Sequence, residues 1–318
     1  MACERVETEY FTLHTLDDGV FAAIAKPGKG AWSNAGIVDL GEELLVFDSL
    51  STPSAGKELR RQAESLTGKK VKYLINSHYH GDHVFGNQVF FDTTIISTYD
   101  TQKLCNEKNS IEDLEKEEKE EKEMKQYLLQ LKNQIDSTED DILKASLINQ
   151  YQEMSKVLDD LLQLQIVLPS LLFEEKLTIN GADRMVELYC LGGGHSPSDT
   201  FMYLPKEKIA FMGDIATEDL HVPIDNPVEF LSILQQVNQM DIDTIVPGHG
   251  SVTNMALCNT LIDYLSFLTQ SSKEAIQRKL PVEDFIAAFE IPKKYKEWKG
   301  VNGIKMNLKT IYTYLQKN

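Results

Sequence analysis

Four side chains able to bind a metal fall within six residues of the segment Asn76-Ser77-His78-Tyr79-His80-Gly81-Asp82-His83. A lone histidine is usually a surface or core side chain. Three histidines and an aspartate at this spacing point to a metal centre instead. His78 and His80 are two apart and can point the same way. Gly81 lets the backbone turn and carry Asp82 and His83 toward a second position. One tetrahedral ion rarely takes four ligands from so short a stretch, because its ligands must approach from divergent directions. Two adjacent cations suit the pattern better.

The elements around this segment must present it. Val71–Ser77 reads as an apolar strand running straight into the cluster. The same design recurs three times. His195 follows a strand that ends in Gly192-Gly193-Gly194, Asp214 follows Ile209-Ala210-Phe211-Met212-Gly213, and His249 follows Thr244-Ile245-Val246-Pro247-Gly248. Gly-Asp and Gly-His are weak signals singly. Four strand-to-loop junctions bearing ligand chemistry are a strong one, since a rigid scaffold presents reactive groups at such places. Five of the seven histidines are used in this way.

Further strands are expected at Val20–Ala25, Leu44–Asp48, Ile95–Ser97, Leu177–Ile179, Met185–Leu191, Phe201–Leu204 and Ile209–Met212. A helix is expected over Thr52–Leu66, capped by Ser51 or Thr52, and another over Pro227–Met240. From Met255 the chain reads as helical. The order implies an α/β protein with mainly antiparallel strands and helices outside. Glu112–Lys125 is a run of mixed charge, read as a solvated helix face. Apolar residues then recur at helical spacing through Met124, Leu128, Leu131 and Ile135, and, after a restart at Ser137–Asp140, through Leu143, Leu147, Tyr151, Met154, Leu158, Leu161 and Leu162. Residues 105–168 are therefore read as a helical hairpin ended by Pro169. Its apolar stripe needs a partner: the domain's own surface, a second copy of the chain, or the active site as a lid.

Bulk properties bound the function. The 318 residues carry 32 Lys plus Arg against 49 Asp plus Glu, a net charge of −17. A nucleic-acid partner is not expected, because phosphate backbones are held by cationic side chains. Cys3, Cys105, Cys190 and Cys258 are scattered without a CxxC pair, as expected of free thiols in a reducing compartment. The start MACERVETEY lacks a secretory signal, and no run reaches the ~18 apolar residues of a membrane span. A soluble, cytoplasmic protein is expected.

The ordered set Asp48, His78-Tyr79-His80-Gly81-Asp82-His83, His195, Asp214 and His249 resembles the metallo-β-lactamase superfamily over roughly residues 18–105 and 170–255. The resemblance implies a four-layer αββα sandwich made of residues 1–104 and 169–255. The hairpin 105–168 would be an insertion, and residues 256–318 a C-terminal helical segment packed on the core. It implies that His78, His80 and His195 hold one cation, that Asp82, His83 and His249 hold the other, and that Asp214 bridges them. Asp48 would orient the loop from outside the ligand set. The run 195–199 is similar to the His-Thr-Pro-Gly-Asp form of the superfamily, with Asp199 structural. Some β-lactamases of the superfamily carry cysteine or serine near the place of Asp214, so the aspartate here is more similar to glyoxalase II.

The function these residues imply is hydrolysis. Two divalent cations, zinc first with iron or manganese as alternatives, would lower the pKa of water to about 7. The hydroxide they hold would attack an ester, thioester, lactone or lactam carbonyl of a small molecule. Asp82 and Asp214 are the candidate catalytic carboxylates, with Asp82 considered as proton donor to the leaving group through a water. Trp32, Asn34 and His221 are candidate pocket residues, and His14 is expected to be structural. Two other readings compete: iron-dependent redox chemistry on the same fold, and an interaction protein acting through the hairpin, with homodimerisation through residues 105–168 as its simplest form.

Overall fold

The computed structural model describes residues 5–109, 114–301 and 303–318. Cys3 and the start of the charged run at Glu112 and Asp113 lie outside the described residues. One sheet holds β1 (Arg5–Glu7), β2 (Phe11–Asp17), β3 (Val20–Ala25), β4 (Ala35–Asp39), β5 (Leu44–Phe47), β6 (Val71–Ile75), β7 (Thr94–Thr98) and β8 (Leu171–Phe173), in that spatial order. A second sheet holds β9 (Lys176–Asn180), β10 (Met185–Cys190), β11 (Thr200–Leu204), β12 (Ile209–Phe211) and β13 (Thr244–Val246), in the order β13-β12-β11-β10-β9. The helices are α1 (Pro53–Thr67), α2 (Gly81–Val84), α3 (Tyr99–Asn109), α4 (Leu114–Ser137), α5 (Asp141–Asp160), α6 (Pro227–Val237), α7 (Ala256–Gln277), α8 (Val282–Ala288) and α9 (Gly303–Lys317).

Alternation along the strands builds the layers, because successive side chains of a strand point to opposite faces. In β5, Leu44 and Val46 face α1, joining Leu59 and Ala63 in one buried cluster. Leu45 and Phe47 face the other way and meet Leu188, Met202 and Phe211 of the second sheet. In β11 the same switch sends Phe201 and Tyr203 outward to Phe230 of α6, Leu265 of α7 and Leu308 of α9. Three apolar clusters thus separate four layers, helix, sheet, sheet and helix. α1 starts where Thr52 caps it, its side chain accepting from Ala55 N at 3.2 Å, and stops at Gly68 in the left-handed conformation.

Most strand pairs are antiparallel, as expected, but part of each sheet is parallel. β1 to β5 run antiparallel, but β5, β6, β7 and β8 are mutually parallel, and so are β12 and β13. Parallel neighbours need a crossover connection. α1 makes the first, and the stretch from α3 to α5 makes the one from β7 to β8. The helical hairpin therefore occupies a crossover. β8 escaped the sequence reading because Leu171–Phe173 is three residues long and shows no alternation. The hairpin closes on its own apolar seam, where Leu128 and Leu131 meet Leu147, with Val301 of the C-terminal segment packed beside them. Its second helix restarts at Asp140, which caps Ile142 N and Leu143 N, and ends at Asp160, earlier than Pro169. Among the described residues no helix is long and apolar enough to cross a membrane.

Leu188, fully buried between the sheets, gives a test of this layering. Leu188→Ala is expected to lower unfolding free energy by about 2–5 kcal/mol in urea, whereas Phe91→Ala, at a side chain 75% exposed, shifts it by no more than about 0.5 kcal/mol.

Candidate metal centre

All the candidate ligands leave strand ends at one edge of the sandwich. Asp48 follows β5, the cluster from His78 to His83 follows β6 and enters α2, and His195, Asp214 and His249 follow β10, β12 and β13. Ligand atoms of His78, His80, His195 and Asp214 lie within 4.8 Å of one another, and so do those of Asp82, His83 and His249. The ring nitrogen Nδ1 of His80 is 2.9 Å from Nε2 of His78 and 2.9 Å from Nε2 of His195. Asp214 stands between the two groups. Its Oδ2 is 3.3 Å from His195 Nε2, while its Oδ1 is 3.4 Å from His83 Nε2 and 3.3 Å from His249 Nε2. Asp82 Oδ2 is 3.2 Å from His249 Nε2. Tetrahedral ligands at ~2.05 Å from a cation stand roughly 3.3 Å apart, so these spacings suit donors that share a cation.

The outer faces of the imidazoles fix which nitrogen is free. A carbonyl oxygen can only accept, so His195 Nδ1 donates to Pro223 O at 2.9 Å and His249 Nδ1 donates to Trp32 O at 3.1 Å. His83 Nδ1 donates to the Asp48 carboxylate at 2.7 Å. In each case Nε2 is the nitrogen turned to the cluster, the one that would give its lone pair to a metal. His83 Nε2 and Asp214 Oδ1 are buried with no hydrogen-bond partner. Such orphaned atoms are costly inside a protein, and a cation between them would satisfy both. The donor set therefore fits a pair of divalent ions.

Charge is divided unevenly between the two groups. Burial pushes His78 well below the usual histidine range and His80 down to about 4, so both are neutral at pH 7. Burial would also lower His249 and His83, but the neighbouring carboxylates overcome it. Asp214 and Asp82 hold His249 up at about 10, and Asp82, Asp48 and Asp214 raise His83 well above its ordinary value. Burial acts on the carboxyls in the opposite sense and is likewise outweighed. His83 and His249 hold Asp82 down at about 2, and His249, His83 and His195 hold Asp214 well below the carboxylate range. Asp82, considered above as a proton donor, is thus ionised at neutral pH. The buried carboxylate of Asp214 and the partly buried one of Asp82 demand positive charge beside them. Protons on His83 and His249 can provide it, and so can divalent cations, whose binding would release those protons.

The surrounding residues hold these groups in place. Asp48 is fully buried and accepts from Ser77 N at 2.7 Å and Ser77 Oγ at 2.8 Å as well as from His83. Asp199 accepts from the amides of Gly194, His195 and Ser196, pinning the turn that carries His195. Gly213 adopts φ +51°, and a Cβ on Gly248 would come within 2.1 Å of Asp214 Oδ1. The glycines before Asp214 and His249 are thus demanded by backbone conformation in one case and by close approach in the other.

The three candidate pocket residues have different surroundings. Asn34 spends its side chain on backbone: Nδ2 donates to Pro247 O and Gly250 O, each at 2.8 Å, and Oδ1 accepts from Ala25 N at 2.9 Å. It staples the His249 loop. Trp32 is half-buried and contributes its carbonyl to His249 from a left-handed conformation, φ +59°. His221 is buried under the C-terminal helices, its Nδ1 2.9 Å from the Tyr264 hydroxyl. Asn307 of α9 donates to both that hydroxyl and Val222 O. The loop so braced carries Pro223, whose carbonyl orients His195. His14 lies on β2, half-buried and away from the cluster. Sequence reasoning gave no role to Ser33, whose Oγ donates to Asp82 O at 2.5 Å, nor to Ser77 or Pro223. Ser33 and Ser77 adjoin segments already singled out, so adjacency was an available signal. Pro223 acts through its backbone and left none.

A family model described as the metallo-beta-lactamase superfamily matches residues 32–249. The chain belongs to the metallo-β-lactamase superfamily. Comparison with curated proteins finds no match. Among solved structures it is similar to a metallo-beta-lactamase from Pontibacter korlensis, at 15% identity and a TM-score of 0.54, covering 83% of this chain and 99% of that one. It is also similar to a double mutant of the sec-alkyl sulfatase PisA1, at 14% identity and a TM-score of 0.65, covering 95% of this chain and 50% of the sulfatase. At these identities the likeness shows the fold.

Two predictions follow from the geometry. Gly248→Ala pushes a methyl group into Asp214, so zinc uptake measured by competition with a chromophoric chelator is expected to fall while far-ultraviolet circular dichroism is kept. The second concerns His221, which burial holds down at about 4 against about 6.5 when unfolded. A base with a depressed folded pKa stabilises fully above 6.5 and loses that contribution as pH falls toward 4. Thermal midpoints of His221→Leu should therefore decline less steeply than wild type over that window, and parallel curves would refute the assignment.

Proposed function

We propose that the chain is a metal-dependent hydrolase that uses a dinuclear centre to cleave an ester, thioester, lactone or lactam of a small molecule. The observation that carries this reading is Asp214, a buried carboxylate with one oxygen turned to each histidine group. His78, His80 and His195 would hold one cation, Asp82, His83 and His249 the other, and Asp214 would bridge. Zinc fits the nitrogen-rich set best. When bound, such ions supply a nucleophile by lowering the pKa of water and polarise the substrate carbonyl.

The chain's own residues supply position and charge. Asp48, Trp32 O and Pro223 O keep His83, His249 and His195 in the tautomer that turns Nε2 inward. Asp82 and Asp214 set two negative charges against two divalent cations, so the loaded centre stays net positive and favours a substrate that develops negative charge on oxygen. Iron-based redox chemistry would use the same ligands, and an interaction role would make no use of them.

The test is a substrate panel with the zinc- and manganese-loaded chain: a thioester, an acyl-homoserine lactone, a chromogenic lactam, a phosphodiester and, given the fold shared with an alkyl sulfatase, a secondary alkyl sulfate. Turnover of a carbonyl substrate, lost about a hundredfold or more in Asp214→Asn, is the expected result. Intact carbonyl substrates under both metals, with iron and oxygen uptake in protein purified without added metal, would move the assignment to redox chemistry.

A further inference from the structure

The hairpin reaches the centre through one buried carboxylate. Glu153, on α5, is 1% exposed. Its Oε1 accepts from Gly28 N at 2.6 Å and its Oε2 accepts from Gly30 N at 2.8 Å. Both glycines have positive φ, +71° and +93°. Neighbouring side chains of the same helix close over the turn, Gln152 against Gly28 and Lys156 against Gly30. Thr52 Oγ1 donates to Gly30 O at 2.9 Å from the other side, and Asp160 Oδ2 accepts from Ser54 N at 3.2 Å, tying α5 to the start of α1 as well.

This turn leads within a few residues to the metal-binding groups. Trp32 O receives His249 Nδ1, and Ser33 Oγ donates to the backbone carbonyl of Asp82. The loop from Gly28 to Ser33 thus touches two of the three residues of one histidine–aspartate group, and among the described residues it makes no hydrogen bond to His78, His80 or His195. A carboxylate gripping two amides forms charge-assisted bonds, stronger than neutral ones. Here they join a helix of the crossover to a loop far away in sequence.

We propose that Glu153 is a positioning residue for the Asp82–His83–His249 group: by fixing the turn at Gly28 and Gly30 it sets the Trp32 carbonyl and Ser33 hydroxyl that orient His249 and Asp82. The hairpin is then a brace for one half of the centre. This rests on the dinuclear reading above.

The experiment is a stepwise zinc titration of the metal-stripped full chain against a chromophoric chelator. Wild type is compared with Glu153→Ala, Glu153→Gln, His249→Ala and Leu131→Ala, the last loosening the hairpin seam without touching the turn. His249→Ala identifies the step that belongs to the Asp82–His83–His249 group. Glu153→Ala is expected to weaken that step about tenfold and leave the other unchanged, and Glu153→Gln, which keeps one acceptor, to fall between. The inference is overturned if both steps weaken together, if the other step weakens, if neither moves, or if Leu131→Ala reproduces the pattern. A wild-type chain lacking a second step would overturn the dinuclear reading and this inference with it, whereas two wild-type steps with an unmoved Glu153→Ala would overturn the inference alone.

Discussion

Two carboxylates, one buried and one partly buried, packed against five imidazoles at one edge of the sandwich form the constraint on which this molecule turns. Asp82 and Asp214 lie among His78, His80, His83, His195 and His249, with ligand atoms only a few ångströms apart. Burying an unpaired carboxylate is strongly unfavourable. The arrangement is affordable only if positive charge sits between the groups, and the lone pairs of the inward nitrogens point where a cation would supply it. Several polar side chains around the centre are matched to partners of their own. Asn34 is saturated, Asp199 receives three amides, and Asp48 receives three donors. His83 Nε2 and Asp214 Oδ1, inside the cluster, have no hydrogen-bond partner.

Each layer of the sandwich contributes to that one place. The two sheets send out the strand ends that bear the ligands. Helices α7 and α9 hold the Pro223 loop through Tyr264 and Asn307, and α5 holds the Gly28–Gly30 turn through Glu153. The first contact orients His195 and the second the loop beside His249, so each half of the centre has its own support from a peripheral helix. Elements that sequence reading treats as additions to a core are in this sense parts of the site.

The legibility of the sequence followed the range of the physics involved. The cluster from His78 to His83 is local, its chemistry carried by residue type and spacing, and it could be read directly. His195, Asp214 and His249 could be joined to it because each repeats the strand-then-glycine design, and the superfamily resemblance ordered them. The α1 cap at Thr52 and the short apolar runs of β3 and β5 were legible for the same local reason. What was not legible depends on distant partners. Nothing near Asn34 or His221 announces that their side chains are consumed by Pro247, Gly250 and Tyr264. Nothing in Glu153, one acid among many in a charged segment, distinguishes a buried anchor from a solvated surface charge. The parallel pairing of β7 with β8 was hidden because a three-residue strand has no period to read.

The central claim is that Asp214 stands between two cations. Anomalous diffraction from crystals of the zinc-loaded chain, recorded on both sides of the zinc edge, tests it most directly. The account predicts two peaks, one on the side of His78, His80 and His195 and one on the side of Asp82, His83 and His249, with Asp214 reaching both. A single peak, or density confined to surface residues with the inner nitrogens unliganded, would contradict it.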